Sequence, residues 1–151
     1  MQGSKFDDRN LTWRQLEGLD DLWFYVYNAD RKNGIVDVIF KFAANSRVLL
    51  HQHKTPYVTL VLQGELRFYR PNGEPKEIRP IGGYVTGVAN GEPHIEGGGV
   101  EDAIVFFSNR NVEDAIYEFL DENGQPTFTL GIADFEEHLK AQGAAKWQKA
   151  A

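Results

Sequence analysis

The sequence predicts an all-β domain, a sandwich or barrel, that ends in one short helix. Short segments rich in aromatic and β-branched residues recur along the chain, and Gly, Pro, Asn and Asp form turn signals between them. A spacing of about 8 to 12 residues between such segments is typical of sandwiches and barrels. Residues 35–42 also alternate, with Asp37 and Lys41 on the face opposite the apolar side chains. That alternation indicates a half-buried strand.

The first clear strand signal begins at Leu22, where aromatic and β-branched residues follow one another. Residues 28–34 then form a turn, rich in Asn, Asp and Gly. The predicted strands are residues 22–27, 35–42, 48–53, 57–62, 66–69, 76–81, 84–88, 103–108, 115–120 and 127–130. The residues expected in the core are Phe40, Phe42, Leu60, Leu62, Val105 and Phe107.

Glycine and proline mark the connections between these strands. Gly64 lies in a tight turn, and residues 90–93 form a turn that leads to His94. The glycines at 97–99 are expected to break the chain before the next strand. Residues 12–16 fit either a short strand or a helical turn.

The predicted helix covers residues 133–142, because Phe135 and Leu139 stand at helical spacing. Asp134 is placed to cap its start, and Gly143 to end it.

We predict one domain overall, with three parts. Residues 1–34 form an N-terminal extension with edge strands, residues 35–132 form the barrel, and residues 133–151 form the C-terminal helix and tail. The tail at 144–151 is helix-forming and charged, and it is expected to fray.

Composition limits the classes of function. The chain has 151 residues, a net charge of −6 and no cysteine. The acidic balance argues against nucleic acid or an anionic membrane as a partner, and the lack of cysteine excludes disulfides and thiolate ligands. The first residues lack the apolar region of a secretory signal, and no apolar run approaches the ~20 residues of a transmembrane helix. The expectation is a cytoplasmic protein.

Three of the chain's four histidines form the most informative pattern. His51 and His53 are separated by one residue, so on a strand both side chains point to the same face. His94, on a neighbouring strand, would supply a third imidazole nitrogen. Three ligands on one face of a divalent transition metal leave positions open for a substrate.

The spacing around the histidine pair resembles the first motif of the cupin superfamily, Gly-x5-His-x-His-x3–4-Glu-x6-Gly. His51, His53 and Gly64 match it, and Asn45 stands in place of the first glycine. Asparagine also tolerates a positive φ, so this replacement preserves the backbone conformation.

The second cupin motif, Gly-x5-Pro-x-Gly-x2-His-x3-Asn, also finds a counterpart. Gly83, Gly91 and His94 match, whereas Ala89 replaces the proline and Gly98 the asparagine. The resemblance spans residues 35–110, half the chain, and implies a small jelly-roll β-barrel.

The glutamate of the first motif has no counterpart. Its position falls at Tyr57 or Val58, and no acidic residue lies between Lys54 and Gln63. A three-histidine site resembles the acetylacetone-cleaving dioxygenases and the 2,4′-dihydroxyacetophenone dioxygenases. The segment at 116–124 is also similar to the end of those proteins, and to the zinc-binding cupin domain of certain anti-sigma regulators.

The resemblance implies His51, His53 and His94 as metal ligands and Fe(II) as the metal, with Zn(II) or Ni(II) as alternatives. Without a carboxylate the site would carry a 2+ charge, which favours an anionic bidentate ligand such as a β-diketone enolate. The resemblance also implies a homodimer or homotetramer, and residues 22–27 are a candidate interface.

Two further residues are candidates for catalysis. Glu96 lies two positions after His94 and would share its face, as a fourth ligand, a hydrogen-bond acceptor or a general base. Alternatively, the glycines that follow turn Glu96 to solvent. Tyr57 would line the pocket and hydrogen-bond the substrate, or pack in the core.

Three functions follow from these patterns. The leading one is an Fe(II) dioxygenase that uses O2 to cleave a C–C bond in a small β-diketone or hydroxyketone. The alternatives are a zinc-binding sensor or regulatory cupin, and an isomerase or cyclase that uses the metal as a Lewis acid. Fold alone does not choose among them.

Overall fold

The computed structural model describes residues 5–143 and confirms an all-β fold with one C-terminal helix. Its elements are β1 (Leu22–Asp30), β2 (Ile35–Phe42), β3 (Val48–His53), β4 (Tyr57–Gln63), β5 (Glu65–Tyr69), β6 (Pro75–Pro80), β7 (Tyr84–Gly87), β8 (His94–Gly98), β9 (Ala103–Asn109), β10 (Ala115–Leu120), β11 (Pro126–Gly131) and α1 (Ile132–Ala141).

The strands form two antiparallel sheets. A five-stranded sheet has the order β1-β2-β9-β4-β7, and a six-stranded sheet has the order β11-β10-β3-β8-β5-β6. In both sheets, strands that are not consecutive in the chain lie side by side. The chain therefore crosses repeatedly from one sheet to the other. The main hydrophobic core lies between the sheets.

Strand β2 shows why these residues form strands. Its apolar side chains from Val36 to Phe42 alternate into the main core, while Lys41 points outward between two tryptophan rings. Ile39 belongs to a second, smaller cluster on the outer face, which the N-terminal segment covers through Phe6 and Trp13. Both faces of β2 are therefore largely shielded from water.

Two residues expected in the core are placed differently. Leu60 and Leu62 lie on the outer face of β4 and are only half-buried, because Tyr57, Thr59 and Val61 take the inward positions. Since successive side chains of a strand alternate, only one of these two sets can face the core. The prediction that Leu60 and Leu62 lie in the core is therefore wrong, because apolar character alone does not show which face of the strand points inward.

The glycine run at 97–99 does not break the chain where we expected. Strand β8 continues through Gly98, and both Gly97 and Gly98 are buried. A Cβ atom on Gly97 would lie 1.7 Å from the backbone oxygen of Ser46. Glycine here permits close contact between two backbone segments, as it does in many strands.

Other boundaries differ by a few residues. Strand β1 extends to Asp30, past its predicted end at residue 27, with an irregular register between Val26 and Asn28. In the segment at 12–16, Arg14 forms an isolated bridge to Phe24. Asn45 has a φ of 56°, the left-handed conformation that asparagine tolerates.

Helix α1 packs against the edge strand β1. The side-chain amide of Gln142 accepts a hydrogen bond from the Val26 backbone N–H at 2.8 Å and donates one to the Val26 carbonyl at 2.9 Å. At the other end of the helix, Asp134 accepts a hydrogen bond from the Gly131 N–H. Gly143 has a positive φ of 79°, as expected for a helix end.

The predicted tail at 144–151 lies outside the described residues, and the division into three parts remains a prediction. Between residues 5 and 143, no helix combines the length and apolar character needed to cross a membrane.

Candidate metal centre

The three histidines and Glu96 lie on two adjacent strands of the six-stranded sheet. His51 on β3 is paired directly with His94 on β8, and Val48 is paired with Glu96. From Val48 to His51 is three steps along β3, whereas from Glu96 to His94 is two steps along β8. Strand β3 therefore contains one extra residue, which forms a β-bulge. Bulges near functional sites redirect side chains, and this one brings β3 and β8 into register at the cluster.

The imidazoles and the carboxylate converge on one point. Glu96 Oε1 lies 2.6 Å from His94 Nε2, 3.5 Å from His51 Nε2 and 3.6 Å from His53 Nε2. His53 Nε2 and His94 Nε2 are 3.3 Å apart. The four candidate ligand atoms all lie within 4.8 Å of one another.

The bulge also orients one of the imidazoles. His51 Nδ1 lies 2.9 Å from the carbonyl oxygen of Leu49, a residue of the bulge. A carbonyl only accepts hydrogen bonds, so Nδ1 carries the proton and Nε2 presents its lone pair to the cluster. Such a contact fixes the tautomer that a metal ligand needs.

Burial and mutual attraction control the charges. Glu96 is only 2 % exposed; burial raises its pKa, but the attraction of His51 and His94 outweighs that and holds it well below its usual value. Burial lowers the pKa of His51, but the nearby Glu96 charge leaves it raised overall. Burial lowers the pKa of His53 to about 4, so this imidazole is neutral at neutral pH. The cluster thus combines an ionised carboxylate with nitrogen donors.

These residues fit a divalent metal ion. Metal–ligand bonds of about 2.1 Å place neighbouring donor atoms roughly 3.0 to 3.4 Å apart, and three of the four contacts are 3.3 to 3.6 Å. The fourth, at 2.6 Å, is a hydrogen bond whose proton a metal ion would replace. Imidazole and carboxylate together suit Fe, Zn, Ni and similar ions.

Glu96 points into the cluster, so the alternative that the following glycines turn it to solvent is wrong. It shares the face of His94, as the spacing of two residues on a strand predicts. Although the glutamate of the first cupin motif has no counterpart, the cluster therefore contains a carboxylate, which β8 supplies. With a divalent ion the site would carry a charge of about 1+, rather than the 2+ that we expected without a carboxylate.

Tyr57 approaches the cluster from the opposite sheet. Its ring stacks on that of His53, with centroids 3.8 Å apart. Its neighbour on β7 is Gly87, where a Cβ would lie 2.1 Å from the tyrosine ring, so glycine makes room for this side chain. Burial raises the pKa of Tyr57 to about 12, and its hydroxyl stays protonated at neutral pH.

Two cavities of opposite character meet the cluster. The polar cavity has a volume of about 270 Å³, and six of its lining residues are His53, Tyr57, Phe68, Lys76, Arg79 and His94. The apolar cavity is smaller, about 30 Å³, and six of its lining residues are Phe40, His51, Glu96, Phe107, Tyr117 and Phe119. A small molecule could reach His53 and His94 from the polar cavity, whereas the apolar cavity has room for little more than a water molecule.

Sequence reasoning missed two residues of these cavities. Tyr117 is paired with His53 across β10 and β3, and its hydroxyl accepts a hydrogen bond from Asn109 at 3.1 Å. Its alternation with Phe119 along β10 is a signal that could have placed it inward. Arg79 is buried on β6, whose neighbouring residues are exposed. The polar sequence of β6 gives no sign that one of its charges points inward.

No protein-family model matches this chain, and no curated protein matches it. Solved structures do resemble it. An RmlC-like cupin protein from Ralstonia eutropha is 16 % identical with a TM-score of 0.71, over 93 % of this chain and 87 % of the other. An acetylacetone dioxygenase from Acinetobacter johnsonii is 17 % identical with a TM-score of 0.65, over 94 % and 93 %. The DMSP lyase DddQ of Ruegeria pomeroyi is 17 % identical with a TM-score of 0.54, over 66 % and 56 %.

These similarities show the fold. The chain has the cupin fold, and within it lies a buried group of three histidines and one glutamate that can hold a metal ion. Among the similar structures, the acetylacetone dioxygenase from Acinetobacter johnsonii resembles the chain over nearly the full length of both proteins.

Proposed function

We propose that this protein is a metal-dependent dioxygenase that cleaves a C–C bond in a small β-diketone or hydroxyketone. The observation that carries the proposal is the buried cluster of His51, His53, His94 and Glu96 at the wall of a cavity of about 270 Å³. The similarity in fold to an acetylacetone dioxygenase supports the choice of reaction.

The number of ligands and the charge of the site favour an open Fe(II) site over a structural site in which protein ligands fill every position. Four protein ligands leave two positions free on an octahedral ion, enough for a chelating enolate or for one substrate oxygen and O2. Because Glu96 reduces the charge of the site to about 1+, a singly charged enolate would neutralise it. Ni(II) has the same open positions, whereas four ligands fill the usual coordination of Zn(II).

The reaction is balanced without an external reductant. A β-diketone R–CO–CH2–CO–R′ and O2 yield a carboxylic acid R–COOH and a 2-oxoaldehyde R′–CO–CHO, and each product receives one oxygen atom. When bound, the metal would lower the pKa of the substrate and allow electrons to pass from the substrate to O2.

The chain's own residues position the substrate. The Tyr57 hydroxyl, protonated at neutral pH, would donate a hydrogen bond to a substrate oxygen. The rings of Tyr57 and Phe68 form part of the wall against which the substrate would lie. We assign Glu96 to the metal rather than to proton transfer, because it is buried and contacts His94 directly.

Oxygen uptake tests this function. Metal-free protein is reconstituted anaerobically with Fe(II) and offered a panel of β-diketones and aryl hydroxyketones. We expect uptake that depends on iron, and a loss of at least about 100-fold in His53→Ala, since one ligand is removed. His138→Ala is the matched control, because His138 lies on α1 against Phe24, away from the cluster.

Labelled oxygen gives a stricter criterion. With ¹⁸O2, both products should carry one labelled atom, apart from exchange of the aldehyde oxygen with water. Iron-loaded protein that consumes no oxygen with any member of the panel would overturn the proposal.

A second candidate is a lyase or isomerase that uses Zn(II) as a Lewis acid. Imidazole and carboxylate are common zinc ligands, a substrate would occupy a fifth position, and the DMSP lyase DddQ shares the fold. Turnover by the zinc-loaded protein without oxygen would favour this candidate, whereas tight zinc retention without turnover would favour a sensor.

A further inference from the structure

Arg79 is a buried cation in the wall of the polar cavity. It is 8 % exposed, and its guanidinium stacks on Phe68 at 4.0 Å from the ring centroid. Nη1 donates a hydrogen bond to Thr59 Oγ1 at 3.1 Å and Nη2 donates one to Glu77 Oε1 at 3.0 Å, while the buried Nε has no partner among the described residues.

Its carboxylate partner is easily exchanged. The side chain of Glu77 is 42 % exposed, so it can turn into water at little cost. A buried arginine, in contrast, needs an anion, because its own desolvation is expensive. The planar guanidinium is suited to bind a carboxylate through two hydrogen bonds.

The charges around this cavity point the same way. Lys76 and Glu92 face one another at 3.4 Å and are both partly exposed, as is Glu77. Apart from the residues of the metal cluster, Arg79 is therefore the buried charged residue among those that line this cavity. His53 and His94 line the same cavity, so Arg79 and the metal cluster border one space.

We propose that the cavity selects substrates that carry a carboxylate beside the chelating dicarbonyl group, and that Arg79 binds this carboxylate in place of Glu77. The substrate class is then a dioxo acid rather than a neutral diketone. This inference rests on the proposed function, because it assumes that a dicarbonyl compound chelates the metal.

Two ligands of nearly equal size test the idea. Acetylacetone and 2,4-dioxopentanoate share the same dicarbonyl group, and the second has a carboxylate where the first has a methyl group. Binding of each to the nickel-loaded protein is measured by calorimetry without oxygen, because Ni(II) keeps two positions open for chelation. The ratio of the two dissociation constants, compared between variants, cancels the intrinsic difference between the ligands.

The variants separate recognition from structure. In Arg79→Met we expect the preference for the acid to fall by about 10- to 100-fold, the usual effect of losing a charged hydrogen bond, with the affinity for acetylacetone changed by less than about 3-fold. Arg67→Met is the matched control, because Arg67 pairs with Glu65 on β5 as Arg79 pairs with Glu77 on β6. It should leave both affinities unchanged.

Glu77→Gln tests the same site without altering Arg79. By removing the competing carboxylate, it should strengthen binding of the acid about 3- to 10-fold and leave acetylacetone unaffected. This variant answers the question even if Arg79→Met fails to fold.

The outcomes distinguish the two proposals. If the acid and the diketone respond equally in Arg79→Met, or if Glu77→Gln does not favour the acid, Arg79 is structural and the inference fails while the proposed function stands. If the nickel-loaded wild type binds neither ligand, the dicarbonyl substrate class itself is wrong, and both proposals fail.

Discussion

Glu96 is the carboxylate of the candidate metal centre. A carboxylate that is 2 % exposed is expensive to bury unless a cation accompanies it. In the chain itself, part of that positive charge comes from His51, whose pKa burial lowers but the Glu96 charge leaves raised overall. A divalent ion would supply the same compensation more effectively and would leave the imidazoles neutral.

Removing this charge should weaken metal binding. In Glu96→Gln we expect the affinity for Zn(II) or Fe(II) to fall by at least about 10- to 100-fold, the range seen even for residues outside the coordination sphere. Competition with a chromophoric chelator measures it.

Glu122→Gln is the control, since Glu122 is exposed in the turn before β11. Equal affinities in Glu96→Gln and the wild type would mean that Glu96 does not contact the metal.

Strand β8 is the element that delivers half of the cluster. It carries His94 and Glu96, and its close approach to the backbone of Ser46 requires glycine at position 97. The integrity of the site therefore depends on a glycine that has no chemistry of its own.

Gly97→Ala should move β8 or destabilise the protein. Since the added methyl group would overlap a backbone oxygen, we expect the free energy of unfolding to fall by about 1–3 kcal/mol or more. Urea denaturation measures this change, and chelator competition should show weaker metal binding.

Gly91→Ala makes a suitable comparison, because a Cβ there would have no atom closer than 3.6 Å. If Gly97→Ala unfolds at the same urea concentration as Gly91→Ala, the close backbone approach is not important for stability.

Strands and turns were predictable because their signals are local. The alternation in β2 and the His51–His53 spacing depend only on the period of a strand, and both agree with the structure. The spacing of His94 and Glu96 also predicted a shared face correctly. The glycine run misled because its role is contact with a distant backbone segment.

Arg79 and the bulge in β3 could not be predicted from such signals. Arg79 points inward because β6 pairs with β5, which places it near Thr59 of the other sheet. The bulge is seen only in the way that β3 pairs with β8. Both depend on which strands become neighbours, and a local pattern does not contain that information.

At the scale of the whole molecule, we predict a homodimer or homotetramer. Residues 22–27 remain the candidate interface, but the edge of β1 is partly occupied, because Val26 binds Gln142 and Phe24 pairs with Arg14. An interface there would therefore use side chains more than backbone pairing.

Sedimentation should show a species at two or four times the monomer mass of 17.1 kDa. The measurement is made at micromolar concentration, with and without Zn(II). A strict monomer under both conditions would contradict the prediction.

All four candidate ligands come from β3 and β8, which are hydrogen-bonded neighbours in one sheet. The facing wall, with Tyr57 and Gly87, belongs to the other sheet. The pairing of these two strands therefore holds the backbone of all four donors within one sheet. Breathing of one sheet against the other would widen or narrow the entrance for a ligand without disturbing the geometry of coordination.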